Sequence, residues 1–321
     1  MHASTDLSLD VPVEALRHAS PFLSVPELAG LLHLNEKKIY QLAGEGVLPG
    51  TKITGKWLFP RTLIERWLIE NSHGGVLADR LLIAGSDDRL VHRVCSRLAI
   101  DWQRSALLAY CPAGTRHGLS MLDAGRVDAC FINWGAREPH ARRHVALLRG
   151  YRNHASWTVV RCFERTQGFI LGENAAARHP AGADEPHDRV ASLLHDRTLR
   201  WALRGEQTGT GRTLADACAE HDVTLGELHV VERCHSERAA AALVNVGAAD
   251  IAPGVQSVAR EYRLGFIATT DVAIDLVVDR RTFFRRPVQQ LLERLGDDAA
   301  VREAAELGGY RVPERQVVME V

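Results

Sequence analysis

The chain has 321 residues, of which 46% are hydrophobic and 25% charged, with 39 Lys+Arg against 40 Asp+Glu. That length is about two ordinary domains, and the composition is globular, which excludes a disordered or fibrous chain. A formal net charge of -1 excludes binding to a polyanion through bulk charge and leaves room only for a local basic patch. Residues 1–20 form a weakly patterned tail without a basic start and apolar run, so no export signal is expected. No stretch reaches the roughly 18 apolar residues of a membrane span, so a cytoplasmic chain with no membrane partner is expected. Cys95, Cys111, Cys130, Cys162, Cys218 and Cys234 are scattered singly, which predicts reduced, mostly buried thiols.

A compact unit is predicted over residues 21–72. Ser24 is a good N-cap with Glu27 three residues later, and Leu28, Leu31 and Leu32 supply one apolar face. Asn35 caps a second helix containing Ile39, Tyr40 and Leu42, whose outward positions are Glu36, Lys37, Lys38 and Gln41. Two short helices joined by a tight turn are the skeleton of a helix-turn-helix, whose second helix can enter the major groove. Thr51–Ile53 and Trp57–Phe59 around Thr54-Gly55 predict a hairpin, with Lys52 and Lys56 near its tip. Pro60 opens a third helix carrying Leu63, Ile64, Trp67 and Leu68. All four lysines of the chain (Lys37, Lys38, Lys52, Lys56) fall in this unit.

These residues resemble the excisionase-type, MerR-like winged helix-turn-helix family. The resemblance rests on Phe22-Leu23-Ser24-Val25-Pro26-Glu27-Leu28-Ala29, Ile39-Tyr40-Gln41-Leu42, Gly46-Val47-Leu48-Pro49, Lys56-Trp57-Leu58-Phe59 and Glu65-Arg66-Trp67-Leu68, and covers nearly the whole unit. It implies double-stranded DNA as partner, contacted by Lys37, Lys38 and Gln41 from the second helix and by Lys52 and Lys56 from the wing. A single small, nearly neutral head implies a homodimer on a two-part operator.

His73-Gly74-Gly75 marks a linker over residues 73–79, and the pattern changes over residues 80–321. Apolar, β-prone runs at Leu81–Ala84, Ala106–Tyr110, Ala129–Ile132, Trp157–Cys162, Gly168–Leu171, Leu228–Val231 and Ile274–Val278 alternate with helix-like stretches, which predicts an α/β fold on largely parallel sheets. Three turns follow β-prone runs and open helix-like ones: Gly85-Ser86-Asp87-Asp88, Gly114-Thr115-Arg116-His117-Gly118, and Gln207-Thr208-Gly209-Thr210-Gly211-Arg212 after Leu199–Leu203. Such turns leave amides and hydroxyls at helix N-termini, suited to an anion, and place them at the carboxyl edge of the sheet.

This second region resembles the periplasmic-binding-protein-like ligand domain related to molybdate-binding proteins. The matching pieces are Ala84-Gly85-Ser86-Asp87-Asp88, Gly114-Thr115 with Gly118-Leu119, Arg165-Thr166-Gln167-Gly168-Phe169, Thr208-Gly209-Thr210 with Arg212, His235, Gly247-Ala248-Ala249-Asp250 and Gly308-Gly309-Tyr310. The resemblance implies two α/β lobes around a cleft, with a small anionic ligand held by Ser86, Thr115, Thr208, Gly209, Thr210, Arg212 and His235. Departures from the family pattern are Thr115 for serine, Asn133 for histidine, Ile274 for the tyrosine before Asp275, and Glu237 and Arg238 for small apolar residues. They leave the ligand open between an oxyanion such as molybdate or tungstate and a small organic acid.

No nucleophile elbow, P-loop or dinucleotide fingerprint is present, so no catalytic residue and no cofactor is expected. His140 and His144 have the four-residue spacing of a metal pair but lack a third ligand in sequence, and Asp87-Asp88 reads as a helix cap. The expected protein is a ligand-responsive transcriptional regulator. The rival is an enzyme of cofactor or small-anion metabolism using the same cleft.

Overall fold

The computed structural model describes residues 20–71, 80–102, 106–135, 140–180 and 186–320. The expected linker, and the expected tail apart from Ser20, lie outside the described residues. The chain divides into two compact units, Met1–Asp79 and Arg80–Val321. No described helix is long and apolar enough to cross a membrane.

In the first unit local chemistry sets the first two helix starts and the hairpin turn. Ser24 stands ahead of helix Val25–Leu32, and Glu27 Oε2 accepts from both the Ser24 amide (2.7 Å) and its hydroxyl (2.6 Å). Asn35 accepts from the Lys38 amide at 2.8 Å and starts helix Glu36–Gly44. Strands β1 (Phe22–Leu23), β2 (Thr51–Ile53) and β3 (Lys56–Pro60) form an antiparallel sheet in the order β1-β3-β2. Ile53 pairs with Lys56 across Thr54 (φ 48°) and Gly55 (φ 84°), the two positive-φ positions of a primed hairpin turn. Helix Arg61–Asn71 follows directly on Pro60. Leu23, Leu28, Ile39, Leu48, Phe59 and Ile64 make one core. Tyr40, expected among the apolar residues of its helix, is instead 52% exposed, because Ile39 and Ala43 already fill the buried face.

The second unit is built on one ten-stranded sheet. Its strands are β4 (Arg80–Gly85), β5 (Leu107–Cys111), β6 (Ala129–Ile132), β7 (Trp157–Leu171), β8 (Arg200–Arg204), β9 (His229–Cys234), β10 (Ile251–Val255), β11 (Gly265–Asp279), β12 (Tyr310–Arg311) and β13 (Val317–Glu320). The order is β5-β4-β6-β11-β7-β10-β8-β9, with β12 and β13 also on β7. Pairings within β5-β4-β6 and within β10-β8-β9 are parallel, as crossover helices require. The expectation of largely parallel sheets is corrected at the centre. There β7 and β11 pair antiparallel from Gly265↔Leu171 to Asp279↔Trp157.

The runs that read as separate strands in sequence, Trp157–Cys162 and Gly168–Leu171, are one strand, and Ile274–Val278 is the end of another. Polar Glu164-Arg165-Thr166-Gln167 interrupts the apolar pattern where β7 passes from one core to the other. Phe163 belongs to a core with Leu81, Val91, Phe131 and Leu276, whereas Phe169 belongs to one with Trp201, Leu214, Ile251 and Ile267. Two lobes therefore share two long strands. Strand β10 is hidden in the sequence because its Pro253-Gly254 looks like a turn; paired along β7, it is a strand all the same.

At the end of β4 the chain must turn within contact of its neighbours. Gly85 has φ +123°, and a Cβ there would lie 2.0 Å from the Phe131 carbonyl oxygen. A Cβ on Gly118 would in turn lie 2.6 Å from the Gly85 Cα. Gly85→Ala is expected to cost roughly 3 kcal/mol or more, because both the backbone and β6 must shift. For a unit of this size that lowers the melting temperature by about 6–12 °C, and a calorimetric scan matching wild type would contradict it.

Candidate functional site

On helix Glu36–Gly44, Lys37, Lys38 and Gln41 are all exposed. The Lys38 ammonium donates to Gln41 Oε1 at 3.2 Å, and Gln41 Nε2 donates to Glu45 at 2.8 Å. Helical spacing puts Tyr40 one turn from Lys37 on the exposed side of the helix, an amphipathic ring whose sequence pattern alone suggests packing. Lys52 and Lys56 are exposed on either side of the hairpin turn. The surface thus carries two cationic features, one on a helix and one on a two-stranded wing.

In the second unit, the three turns lie at the carboxyl ends of β4, β5 and β8, and helices Arg89–Trp102, Thr115–Asp123 and Gly209–Glu220 leave from them. The Ser86 hydroxyl lies 3.0 Å from that of Thr115, both buried. Thr115 Oγ1 also meets the Asn133 carbonyl at 2.9 Å and the Asn133 amide at 3.2 Å. The turns of opposite lobes touch: the Arg116 amide donates to the Gln207 carbonyl at 3.2 Å. A Cβ at Gly114 would lie 3.1 Å from Thr208 Cγ2, and one at Gly209 would lie 2.1 Å from Asn133 Oδ1. Asn133 Nδ2 donates to Gln167 Oε1 at 3.4 Å, leaving Asn133 Oδ1 and Gln167 Nε2 buried without a partner.

Beside these amides lies a buried ionic cluster. Arg165, from the middle of β7, donates to the Asp87 carbonyl (2.8 Å), to Asp88 (3.0 Å) and to both Glu237 oxygens (2.8 and 3.4 Å). Arg204, ending β8, lies 3.6 Å from Glu237 and donates to the His235 carbonyl at 3.1 Å. The Thr210 hydroxyl donates to Glu237 at 2.8 Å, and Tyr310 donates to Asp88 at 3.1 Å. Asp87 accepts from the Glu237 amide at 3.1 Å, and Asp88 also caps its helix through the Val91 amide at 3.0 Å. Burial pushes the carboxyls of Asp88 and Glu237 upward against the pull of Arg165.

The sequence-predicted ligand residues therefore separate. Ser86, Thr115 and Thr210 join the buried network, and Gly209 abuts it through Asn133. Thr208 caps its helix, accepting from the Gly211 amide at 3.1 Å while donating to the Gly205 carbonyl at 2.7 Å. Arg212 departs from the expectation: its guanidinium, 42% exposed, pairs with Asp216 one turn along at 2.7 Å. Asp216 also holds Arg143 of the other lobe at 2.5 Å, so its geometry serves the rim. His235 is exposed and contributes only its carbonyl. Arg116 lies 4.9 Å over the Trp134 ring. Sequence reasoning does not single out Arg165, Arg204, Glu237, Asn133 and Gln167 as a group. The available signal is a charged residue inside an apolar β-run, since a buried arginine must be paired.

A second buried pair lies nearby. His144 Nδ1 meets Asp275 at 2.7 Å and its Nε2 accepts from the Trp134 amide at 3.1 Å, an arrangement that needs the neutral ring with its proton on Nδ1. Arg161 completes the group by binding Asp275. The metal spacing of His140 and His144 is thus accounted for on the His144 side by hydrogen bonding. Cys130 and Cys162 are buried nearby, while burial pushes the Cys95 thiol up to about 12 and Cys111 is exposed.

The family described as the PBP superfamily domain matches residues 97–296, and a helix-turn-helix domain matches residues 22–72. No curated protein matches the chain. Among solved structures, a tungstate ABC transporter protein from Geobacter sulfurreducens aligns over 71% of this chain and 98% of its own, at 12% identity and TM-score 0.51. A cysteine-to-serine variant of OxyR from Corynebacterium glutamicum with hydrogen peroxide bound aligns over 88% of this chain and 89% of its own, at 16% identity and TM-score 0.50. At such identities the likeness is one of fold.

Burial works against ionised Asp275, yet the hydrogen bond from His144 and the charge of Arg161 hold its carboxyl below the usual range. A depressed folded value gives stability that is present above the unfolded value, about 3.9, and is lost as pH falls through the folded one. Asp88 and Glu237, shifted the other way, oppose this trend. The effect is therefore read as the difference between wild type and Asp275→Asn. The substitution is expected to cost about 3–5 kcal/mol at pH 7, with the gap narrowing as pH falls below about 4. A gap independent of pH in denaturant titrations would contradict the assignment.

Proposed function

This chain belongs to the PBP superfamily and carries a helix-turn-helix domain ahead of the matched region, and we propose that it is a ligand-responsive transcriptional regulator. The first unit contacts double-stranded operator DNA, with Lys37, Lys38 and Gln41 on the reading helix and Lys52 and Lys56 on the wing. Lysines suit phosphate oxygens, while Lys and Gln also reach base edges. The second unit holds a small solute between its lobes. The observation that carries this reading is the pair of buried, unpartnered amide atoms of Asn133 and Gln167 beside the Ser86–Thr115 hydroxyls. A folded chain rarely leaves such groups unsatisfied unless something else meets them.

A small anion is the class the cleft suits best, because helix-terminal hydroxyls and the guanidiniums of Arg165 and Arg204 are donors. The tungstate transporter protein and the peroxide-bound OxyR share this fold, and both solutes are small and polar. Strands β7 and β11 are the element that opening and closing must bend, and the lobe arrangement is the two-state element through which ligand reaches the DNA-binding heads. Such a regulator acts in the cytoplasm and binds a two-part operator as a homodimer, since one small head buries too little DNA to be specific.

Lys52→Ala with Lys56→Ala is expected to weaken binding to all sequences and to lower the slope of log affinity against log salt by about 0.9 for each phosphate the wing no longer neutralises. Unchanged slopes in a mobility-shift titration would remove the wing from the interface. Light scattering on the full chain is expected to return twice the monomer mass, alone and on operator, and a monomer under both conditions would refute the dimer.

A further inference from the structure

The acceptor bound by Arg165, Arg204 and Thr210 is a carboxylate of the protein itself. Arg165, Arg204, Asp88 and Glu237 are 2%, 5%, 2% and 2% exposed. Two guanidiniums face the two buried carboxylates of Asp88 and Glu237, with the half-buried Asp87 carboxylate beside them, so the cluster holds no surplus positive charge. Adding a free anion to that set would bury an uncompensated negative charge, which is costly. Exchanging Glu237 for the anion removes one negative charge as another enters: a monoanion leaves the sum unchanged and a dianion adds only one charge instead of two.

We propose that the Glu237 carboxylate is a tethered occupant of the anion position, and that a tetrahedral oxyanion binds this cleft by displacing it from Arg165, Arg204 and Thr210. The inference rests on the anion-binding reading of the cleft and sets what decides its affinity. Three observations carry it. First, Glu237 takes both terminal Arg165 nitrogens with its two oxygens, as a bound anion would. Second, the carboxylate does not saturate the donors: the Nε atoms of Arg165 and of Arg204 stay buried without a partner. Two oxygens cannot serve every donor there, whereas a four-oxygen anion offers the extra acceptors. Third, Glu237 sits next to the surface at a helix start. It is the first residue of helix Glu237–Asn245, its neighbours Ser236 and Arg238 are half-buried and exposed, and its amide stays anchored on Asp87 whichever way the side chain points.

A tethered carboxylate competes at an effective concentration on the order of millimolar or above, so the native cleft should bind free anions weakly. Calorimetric titration of the full chain with phosphate, tungstate and acetate tests this. Glu237→Gln keeps the shape and the acceptor for Thr210 but removes the charge. It should bind phosphate or tungstate at least about tenfold more tightly than wild type, and either of them more tightly than acetate. Equal affinities in wild type and variant would overturn the tethered occupant and leave the anion-binding reading standing. No heat with any anion in either protein, both melting cooperatively, would overturn both. A preference for acetate would overturn the tetrahedral class. Should Glu237→Gln fail to fold, Glu237→Asp keeps the charge one methylene short of Arg165; a smaller gain in affinity is expected, and no gain overturns the proposal.

Discussion

The pairing of β7 with β11, unbroken from one end of each strand to the other but for two register shifts, is the constraint on which the larger unit depends. Every other strand attaches to this ribbon directly or through one or two intervening strands, and each lobe's core takes side chains from it. A parallel α/β lobe delivers its helix N-termini to one edge of its sheet. Joining two such lobes through antiparallel strands turns those edges toward one another. The polar turns meet because of that geometry, although Gly85 and Gly209 are far apart in sequence.

Arg165 stands midway along the ribbon, where the side chains change from one core to the other. It binds Asp88 of one lobe and Glu237 of the other. Removing either acid would leave a buried charge partly unmatched, whereas replacing the whole group with apolar residues need not destabilise the fold. The Arg143–Asp216–Arg212 group at the rim is more exposed and correspondingly weaker in salt.

The first unit is legible in sequence nearly residue by residue, because caps and turns are local: Ser24 with Glu27, Asn35, and Thr54-Gly55 each announce their geometry within four positions. In the second unit the three strand-to-helix turns are legible for the same reason. What escapes is long-range. Whether Glu164–Gln167 ends a strand or carries it between cores depends on β11, about a hundred residues away. Arg212 looks like the ligand's arginine because it follows a glycine-rich turn; helical spacing to Asp216 claims it instead. Glu237 stands out in sequence only as a departure from a family pattern, and its meaning needs the position of Arg165.

The close approach of Gly209 to Asn133 bears on heredity. With no side chain at 209 the lobes approach until a single methyl group would collide with both the Asn133 side chain and its carbonyl, the latter at 2.6 Å. Almost any missense change in that codon inserts a chock between the lobes, away from helix Glu36–Gly44 of the first unit. If the proposed regulator reading holds, alleles of this kind would keep the lobes apart yet leave DNA binding intact, so they would score as deaf to a ligand, not as null.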